Sequence, residues 1–168
     1  MNIFAVRHCA EQAARDLPDK LICKMPLESA QMLCTAHREL SPHEYCEEKG
    51  LYLTAFKNHP CTIWARTTHE NYRWLLIHWI TLCEQFYVRY GKQHKSWIDL
   101  WEGLKIFPMD ISEGELTPFA QAMPDIYKNP KNHIAAYRNY MIAEKHYAAW
   151  DKGVAKPKWW NNKLNKVN

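Results

Sequence analysis

The chain has 168 residues, of which 47% are hydrophobic, and its formal net charge is +4. This length and composition suffice for one domain with a buried core and argue against wholesale disorder. No apolar segment approaches the roughly 20 residues that span a bilayer, so we expect no membrane partner. The six cysteines are scattered, and no signal sequence is recognised before them, which favours reduced thiols in a cytoplasmic protein.

Charge is distributed unevenly along the chain. From Tyr127 onward there are nine basic residues and two acidic ones, whereas the preceding part is net acidic. A basic end on an acidic body favours a polyanionic partner, although a solvated basic tail has the same composition.

The spacing of apolar residues predicts an all-α or mainly α fold: a single compact helical domain with long irregular loops and a basic tail. We assign residues 1–152 to the domain and residues 153–168, with Trp159 and Trp160, to the tail. The pattern predicts a buried arm or strand at 1–6, helices at 9–17 and 20–38, and a long loop at 40–60 that is a candidate lid. It then predicts a helix at 67–90, a helix starting near 96, a loop at 107–130 with at most a short helix at 118–123, and a last helix at 133–150. Pro26 predicts either a kink or a division into two helices, and Gly91 predicts the end of the 67–90 helix.

The helix at 20–38 is apolar around most of its circumference, with one narrow polar stripe that includes Lys20, Lys24, Glu28 and Gln31. On a solvent-facing surface this stripe would be a line of ion pairs. If the 40–60 loop shelters it, the lysines become an anion site and Glu28 a general acid or base. We therefore predict Lys24 and Glu28 as catalytic residues, with Lys20 and Gln31 binding the ligand.

Four further stretches contribute candidate ligand-binding residues. Asn71 and His78 form a thin polar line on the apolar 67–90 helix and are expected to close the pocket from across the core, with His59 as another wall. On the last helix, Tyr137, Arg138 and Lys145 combine rings that stack on bases with cations that follow phosphates. Tyrosines at helical spacing also serve as ordinary core residues.

Cofactor and metal signals are weak. The five glycines stand alone, so neither a P-loop nor a dinucleotide fingerprint is present, and we expect no cofactor. The residues with ligand chemistry in one region are His37, His43, Cys46, His59 and Cys61. Their spacing only partly matches structural zinc sites, so we also expect no metal.

Several segments carry a family resemblance: MNIFAV at 1–6, KMPLESAQML at 24–33, NHPCTIW at 58–64 and TPFAQAMPD at 117–125. Together they resemble a family of short, mostly uncharacterised proteins encoded by tailed bacteriophages. The resemblance implies a phage protein in the host cytoplasm that acts on DNA, on nucleotides or on host defence.

Two hypotheses follow. The first is an enzyme that acts on DNA or nucleotides, for example in DNA base modification, with the basic end holding the polyanion. The alternative is a non-catalytic counter-defence protein that sequesters a nucleotide signal or binds a host protein or DNA. Except where the partner is a host protein, the expected partner is a nucleic acid or a nucleotide, which carries phosphate.

Overall fold

Helices account for all regular structure in residues 1–161, the part of the chain that the computed structural model describes. Seven α-helices are present in this part, together with 3₁₀ turns at Asp125–Tyr127 and Lys158–Asn161. The α-helices are α1 (Ala10–Arg15), α2 (Asp19–Leu40), α3 (His43–Glu48), α4 (Pro60–Ala65), α5 (His69–Tyr90), α6 (Lys95–Leu104) and α7 (His133–Glu144). The predicted all-α class is confirmed. Among these helices none is both long and apolar enough to cross a membrane.

Two long helices, α2 and α5, form the centre of the domain. They pack against each other, α1 packs on α5, and α4 and α6 lie against α2. Both long helices therefore have neighbours on several sides, which explains their wide apolar surfaces. Fully buried side chains in this core include Met25, Leu33, Tyr72 and Trp79.

Pro26 does not divide α2, which is one helix from Asp19 to Leu40. The proline removes one internal hydrogen bond, but Ile22, Met25 and Pro26 itself are all buried in the core. Packing on both sides of the proline therefore keeps the two parts in one helix. The carbonyl of Pro26 also accepts a hydrogen bond from Ser96 Oγ on α6, at 3.4 Å.

The segment predicted as a long loop at 40–60 contains α3 and is tied to α2. Thr35 Oγ1 donates to the carbonyl of Ala55 at 3.2 Å and accepts from its N–H at 3.0 Å. Arg38 donates to the carbonyls of Leu51 and Tyr52. These bonds hold the segment against the domain, so its geometry gives no support to a lid.

One other helix prediction is corrected by the structure, whereas residues 107–130 are largely irregular, as predicted. At 118–123, where at most a short helix was expected, the chain is not helical, and the only helical turn between 107 and 130 is the 3₁₀ turn Asp125–Tyr127. The last helix ends at Glu144 and not at 150, and the chain then turns back along the start of α2, where the Asp19 N–H donates to the Ala149 carbonyl at 2.9 Å. This tertiary contact overrides the helical periodicity of residues 145–150.

Both ends of the described chain pack on the body. Residues 2–6 form a buried arm, held by Asn2, whose Oδ1 accepts from the N–H groups of Ile3 and Phe4. At the other end, Trp159 is buried and its Nε1 donates to Asp16 Oδ2 at 2.6 Å. The rest of the basic tail predicted at 153–168, with Lys163 and Lys166, lies outside the described residues from 162 onward.

Candidate nucleic-acid interface

Lysine and tyrosine side chains alternate on one surface where the start of α2 meets the end of α7. We call this surface the lysine–tyrosine face; it consists of Lys20, Lys24, Tyr140, Lys145 and Tyr147. Lys20 Nζ lies 4.4 Å from the centre of the Tyr147 ring. Lys145 Nζ lies 4.5 Å from the centre of the Tyr140 ring and 2.9 Å from its hydroxyl. Lys20 and Lys145 therefore each make a cation–π contact, and Lys20 and Lys24 are exposed residues.

Local structure explains why these residues meet. Lys20 and Lys24 are four residues apart on α2 and share one side of that helix. The chain after α7 returns along this side because the Asp151 N–H donates to Asp19 Oδ2 at 2.7 Å. That return places Tyr147 over Lys20, and it continues to Lys152, whose Nζ lies 5.8 Å from the centre of the Tyr90 ring.

Glu28 lies at the edge of this face between two positive charges. Its Oε1 is 2.9 Å from Lys24 Nζ, and its Oε2 is 3.7 Å from the α-ammonium of Met1. The Glu28 side chain is only 12% exposed, whereas that of Lys24 is 67% exposed. The hydrogen bond with Glu28 raises the pKa of Lys24, and the neighbouring Tyr140 and Tyr147 act in the same direction. Lys24 is therefore a stable cation at neutral pH and not a nucleophilic amine.

His59 lies close to this carboxylate. Its Nδ1 accepts from the Cys61 N–H at 3.2 Å and so caps the start of α4. Burial lowers the pKa of His59, and the Met1 ammonium adds to that effect while Glu28 opposes it. The carboxylate thus lies near an imidazole whose pKa is lowered and beside two cations, and the roles predicted for Glu28 and His59 stay predictions.

Asn71 and His78 do not join this site. Asn71 is buried, and its side chain donates to the Trp64 carbonyl and to Thr117 Oγ1 and accepts from the Thr117 N–H. Within residues 1–161, no hydrogen bond or ion pair connects Asn71 or His78 with Lys24 or Glu28. The expected closure of the pocket from α5 is therefore not observed, because the polar line of α5 faces the interior of the domain.

His78 is the more unusual of the two. It is completely buried, and within the described residues neither ring nitrogen has a hydrogen-bond partner. Its ring stacks on Trp74, with ring centres 5.0 Å apart and an interplanar angle of 14°. Burial lowers the pKa of His78 to about 3. It behaves as a neutral aromatic core residue.

The other predicted binding residues, Gln31, Tyr137, Arg138 and Lys145, lie in different parts of the structure. Tyr137 is fully buried and donates to the Ala120 carbonyl at 2.5 Å, so its ring is not available to a base. Arg138 donates from Nε to the Val6 carbonyl at 2.9 Å and lines a separate cavity beside Trp159. Gln31 is half-buried on α2. Of the ligand-binding residues predicted on the last helix, only Lys145, which directly follows α7, belongs to the lysine–tyrosine face.

The histidines and cysteines considered as metal ligands have other roles. His37 Nε2 is 2.9 Å from the Tyr72 hydroxyl and Nδ1 is 3.2 Å from Ser41 Oγ. Cys46 and Cys61 are buried thiols, and burial raises the pKa of Cys61 to about 11. In residues 1–161, no three histidine, cysteine or acidic side chains lie close enough together to hold a metal ion.

The site residues predicted from the sequence include Lys20, Lys24 and Lys145 of this face but neither Tyr140 nor Tyr147. Tyr147 lies between Lys145 and Lys152 in the sequence, and the helix predicted to continue to residue 150 did not indicate its contact with Lys20. The interpretation of this face rests on its own geometry. Comparisons of the chain with protein-family models, with curated proteins and with solved structures find no match.

Proposed function

We propose that the protein acts on DNA or nucleotides and that the lysine–tyrosine face holds the nucleic acid. The observation that carries this proposal is the pairing of the ammonium groups of Lys20, which is exposed, and Lys145, which is half-buried, with tyrosine rings on one face. Ammonium groups bind phosphates, and aromatic rings stack on unpaired bases with little sequence preference. This combination favours a single strand or a base turned out of a duplex. The resemblance to tailed-phage proteins supports phage or host DNA as the substrate.

The enzymatic form of this proposal assigns proton transfer to Glu28. The carboxylate adjoins the face on which a base would stack, and it is largely shielded from water. A ligand phosphate that attracts Lys24 would loosen the 2.9 Å ion pair and leave a carboxylate oxygen to accept a proton. We propose base modification as the reaction class: Glu28 accepts a proton from the base, and a separate small-molecule donor supplies the group that replaces it.

Binding is tested with a labelled single-stranded oligonucleotide and fluorescence anisotropy over a range of salt concentrations. The double substitution Lys20→Ala and Lys145→Ala should weaken binding about tenfold or more. The slope of log K against log salt concentration should also become shallower by about 1.4, since each phosphate contact on a single strand contributes about 0.7 to that slope.

The matched control removes two lysines from the α6 region. Lys95 and Lys105 each pair with a nearby carboxylate, Asp99 and Glu102. The double substitution Lys95→Ala and Lys105→Ala changes net charge by the same amount and should leave binding nearly unchanged. Equal losses in the two double variants would show that net charge, and not this face, determines affinity.

Catalysis is tested by incubating phage and host DNA with the protein and analysing the digested nucleosides by mass spectrometry. A modified base that disappears with Glu28→Gln, while oligonucleotide affinity is kept, supports the enzyme. The second candidate is the non-catalytic binder, favoured by the fact that two cations already engage the Glu28 carboxylate. If the DNA is unchanged while the protein still binds the oligonucleotide, the result supports the non-catalytic binder.

A further inference from the structure

A cavity of about 340 Å³ lies beside the first turns of α7, apart from the lysine–tyrosine face. Its lining includes His8, Ile134, Arg138, Asn139, Ile142 and Trp159. This volume is at the lower end of the range of small-molecule sites, about 300 to 1,000 Å³. The cavity is therefore large enough for a small organic ligand of mononucleotide size or less.

Arg138 is the charged residue of this cavity, and it is held in place. Its Nε donates to the Val6 carbonyl, and its guanidinium carbon lies 5.5 Å from the centre of the Trp159 ring. No carboxylate in residues 1–161 forms an ion pair with Arg138. Burial lowers the pKa of Arg138, and the positive charge of Arg7 adds to this effect.

The nearby carboxylate of Asp16 is already engaged. Asp16 Oδ2 accepts from Arg7 Nε at 2.7 Å and from Trp159 Nε1 at 2.6 Å. Its effect on the pKa of Arg138 is opposite to that of Arg7 and smaller. An added oxyanion therefore stabilises a partly desolvated guanidinium with a like-charged neighbour more than it stabilises a fully solvated guanidinium.

The remaining walls indicate which oxyanion fits. Asn139 and His8 offer polar groups beside the guanidinium, which suits the three oxygens of a phosphate better than the two of a carboxylate. Ile134, Ile142 and the Trp159 indole provide an apolar side for an organic group. The start of α7 is not itself the anion site, because Asn132 Oδ1 already accepts from the Ala135 N–H.

We infer that this cavity binds the phosphomonoester of a small organic molecule, with its phosphate on Arg138 and Asn139. The guanidinium supplies two parallel N–H donors from Nη1 and Nη2, since Nε is already committed to Val6. This site is independent of the nucleic-acid function proposed above.

The test is isothermal titration calorimetry of the full chain with adenosine 5′-monophosphate, adenosine and succinate. We expect the monophosphate to bind and adenosine to bind at least about tenfold more weakly, because it lacks the phosphate. Arg138→Gln should weaken monophosphate binding by a similar factor. Absence of monophosphate binding, equal binding of adenosine, or equal binding of succinate would each overturn the assignment.

Two further variants separate a binding role from a folding role. Arg138→Gln also loses the bond to Val6, so its thermal unfolding is measured alongside. Asn139→Leu narrows the same cavity without touching Arg138, and it should abolish monophosphate binding in a folded protein. The Lys20→Ala and Lys145→Ala double variant should bind the monophosphate like the wild type; a loss there would place the nucleotide on the lysine–tyrosine face and refute the cavity.

Discussion

The polar lines of α2 and α5 have the same appearance in the sequence and opposite roles in the structure. On α2, Lys20 and Lys24 extend to the surface beside tyrosine rings. On α5, Asn71, His78 and Arg89 are buried. A polar side chain whose hydrogen bonds are satisfied inside the fold contributes to stability, whereas one whose charged end reaches solvent remains available to a ligand.

Arg89 shows most clearly what the α5 line does. Its Nη1 donates to the Leu17 carbonyl at 2.8 Å and to Asp19 Oδ1 at 3.0 Å, and its Nη2 donates to the Arg15 carbonyl at 3.0 Å. The guanidinium thus joins the end of α1 to the start of α2. By fixing Asp19, it also supports the contact that brings the chain after α7 to the lysine–tyrosine face.

The largest effect that would test this comparison is expected from Arg89→Met. The substitution leaves the Asp19 carboxylate without its cation and removes the donors to the buried carbonyl of Leu17 and the part-buried carbonyl of Arg15. Removing one partner of a buried ion pair lowers the unfolding free energy by about 3–5 kcal/mol. Urea unfolding followed by circular dichroism measures the loss.

Arg73→Met is the matched control on the same helix. Arg73 is 58% exposed and pairs with Glu70 at 3.4 Å. Its loss should cost less than about 1 kcal/mol, as expected for a surface pair. If the two methionine variants lost the same stability, the structural role of the α5 line would be wrong.

A smaller effect, which depends on pH, is expected from His78. Burial lowers its pKa in the folded protein to about 3, whereas an unfolded histidine titrates near 6.5. Below pH 6.5 the unfolded chain therefore binds a proton that the folded chain does not. The stability present above pH 6.5 is lost as pH falls toward 3, at about 1.4 kcal/mol per pH unit.

At pH 5 the unfolding free energy lost through His78 is about 2 kcal/mol. His78→Leu removes the titrating group and an unpartnered polar ring at similar volume, so it should unfold with a shallower dependence on pH. His37, whose pKa burial lowers to about 4, continues to titrate in both proteins. Parallel stability curves for the wild type and His78→Leu between pH 7 and 5 would contradict the buried, neutral state of His78.

Much of the fold was predictable from local chemistry. Gly91 ends α5 in the left-handed conformation with φ of 69°, as its position predicted. The wide apolar surface of α2 predicted a central helix, and α2 is central. The helix predicted through residues 145–150 was wrong, because tertiary contacts, which a single sequence does not display, outweigh local preference there.

The candidate site was predictable only in part, for the same reason. The i, i+4 spacing places Lys20, Lys24 and Glu28 on one side of α2 wherever the helix lies. Spacing does not reveal whether a side faces water, so Asn71 and His78 received the same interpretation although they face the core. Tyr147 joins the face through the return of the chain after α7, a long-range contact that periodicity does not encode.

The smallest effect on stability, and the sharpest test of the comparison, is expected from Lys24→Ala. The ion pair that it removes is an i, i+4 pair whose lysine is 67% exposed, and helix-surface pairs of this spacing contribute about 0.3–0.5 kcal/mol. Glu28 keeps a counter-charge, because the Met1 ammonium lies on its other oxygen. Lys95→Ala removes an i, i+4 pair of the same kind, with Asp99, from an 81% exposed lysine.

The two variants should therefore have nearly equal unfolding free energies in urea. Only Lys24→Ala should lower affinity for a single-stranded oligonucleotide, because only Lys24 lies beside Tyr140 and Tyr147. A loss of more than about 2 kcal/mol in Lys24→Ala would mean that Glu28 depends on this lysine to be buried at all. Lys24 would then belong with Arg89 as a structural cation, and the distinction between the two helices would fail.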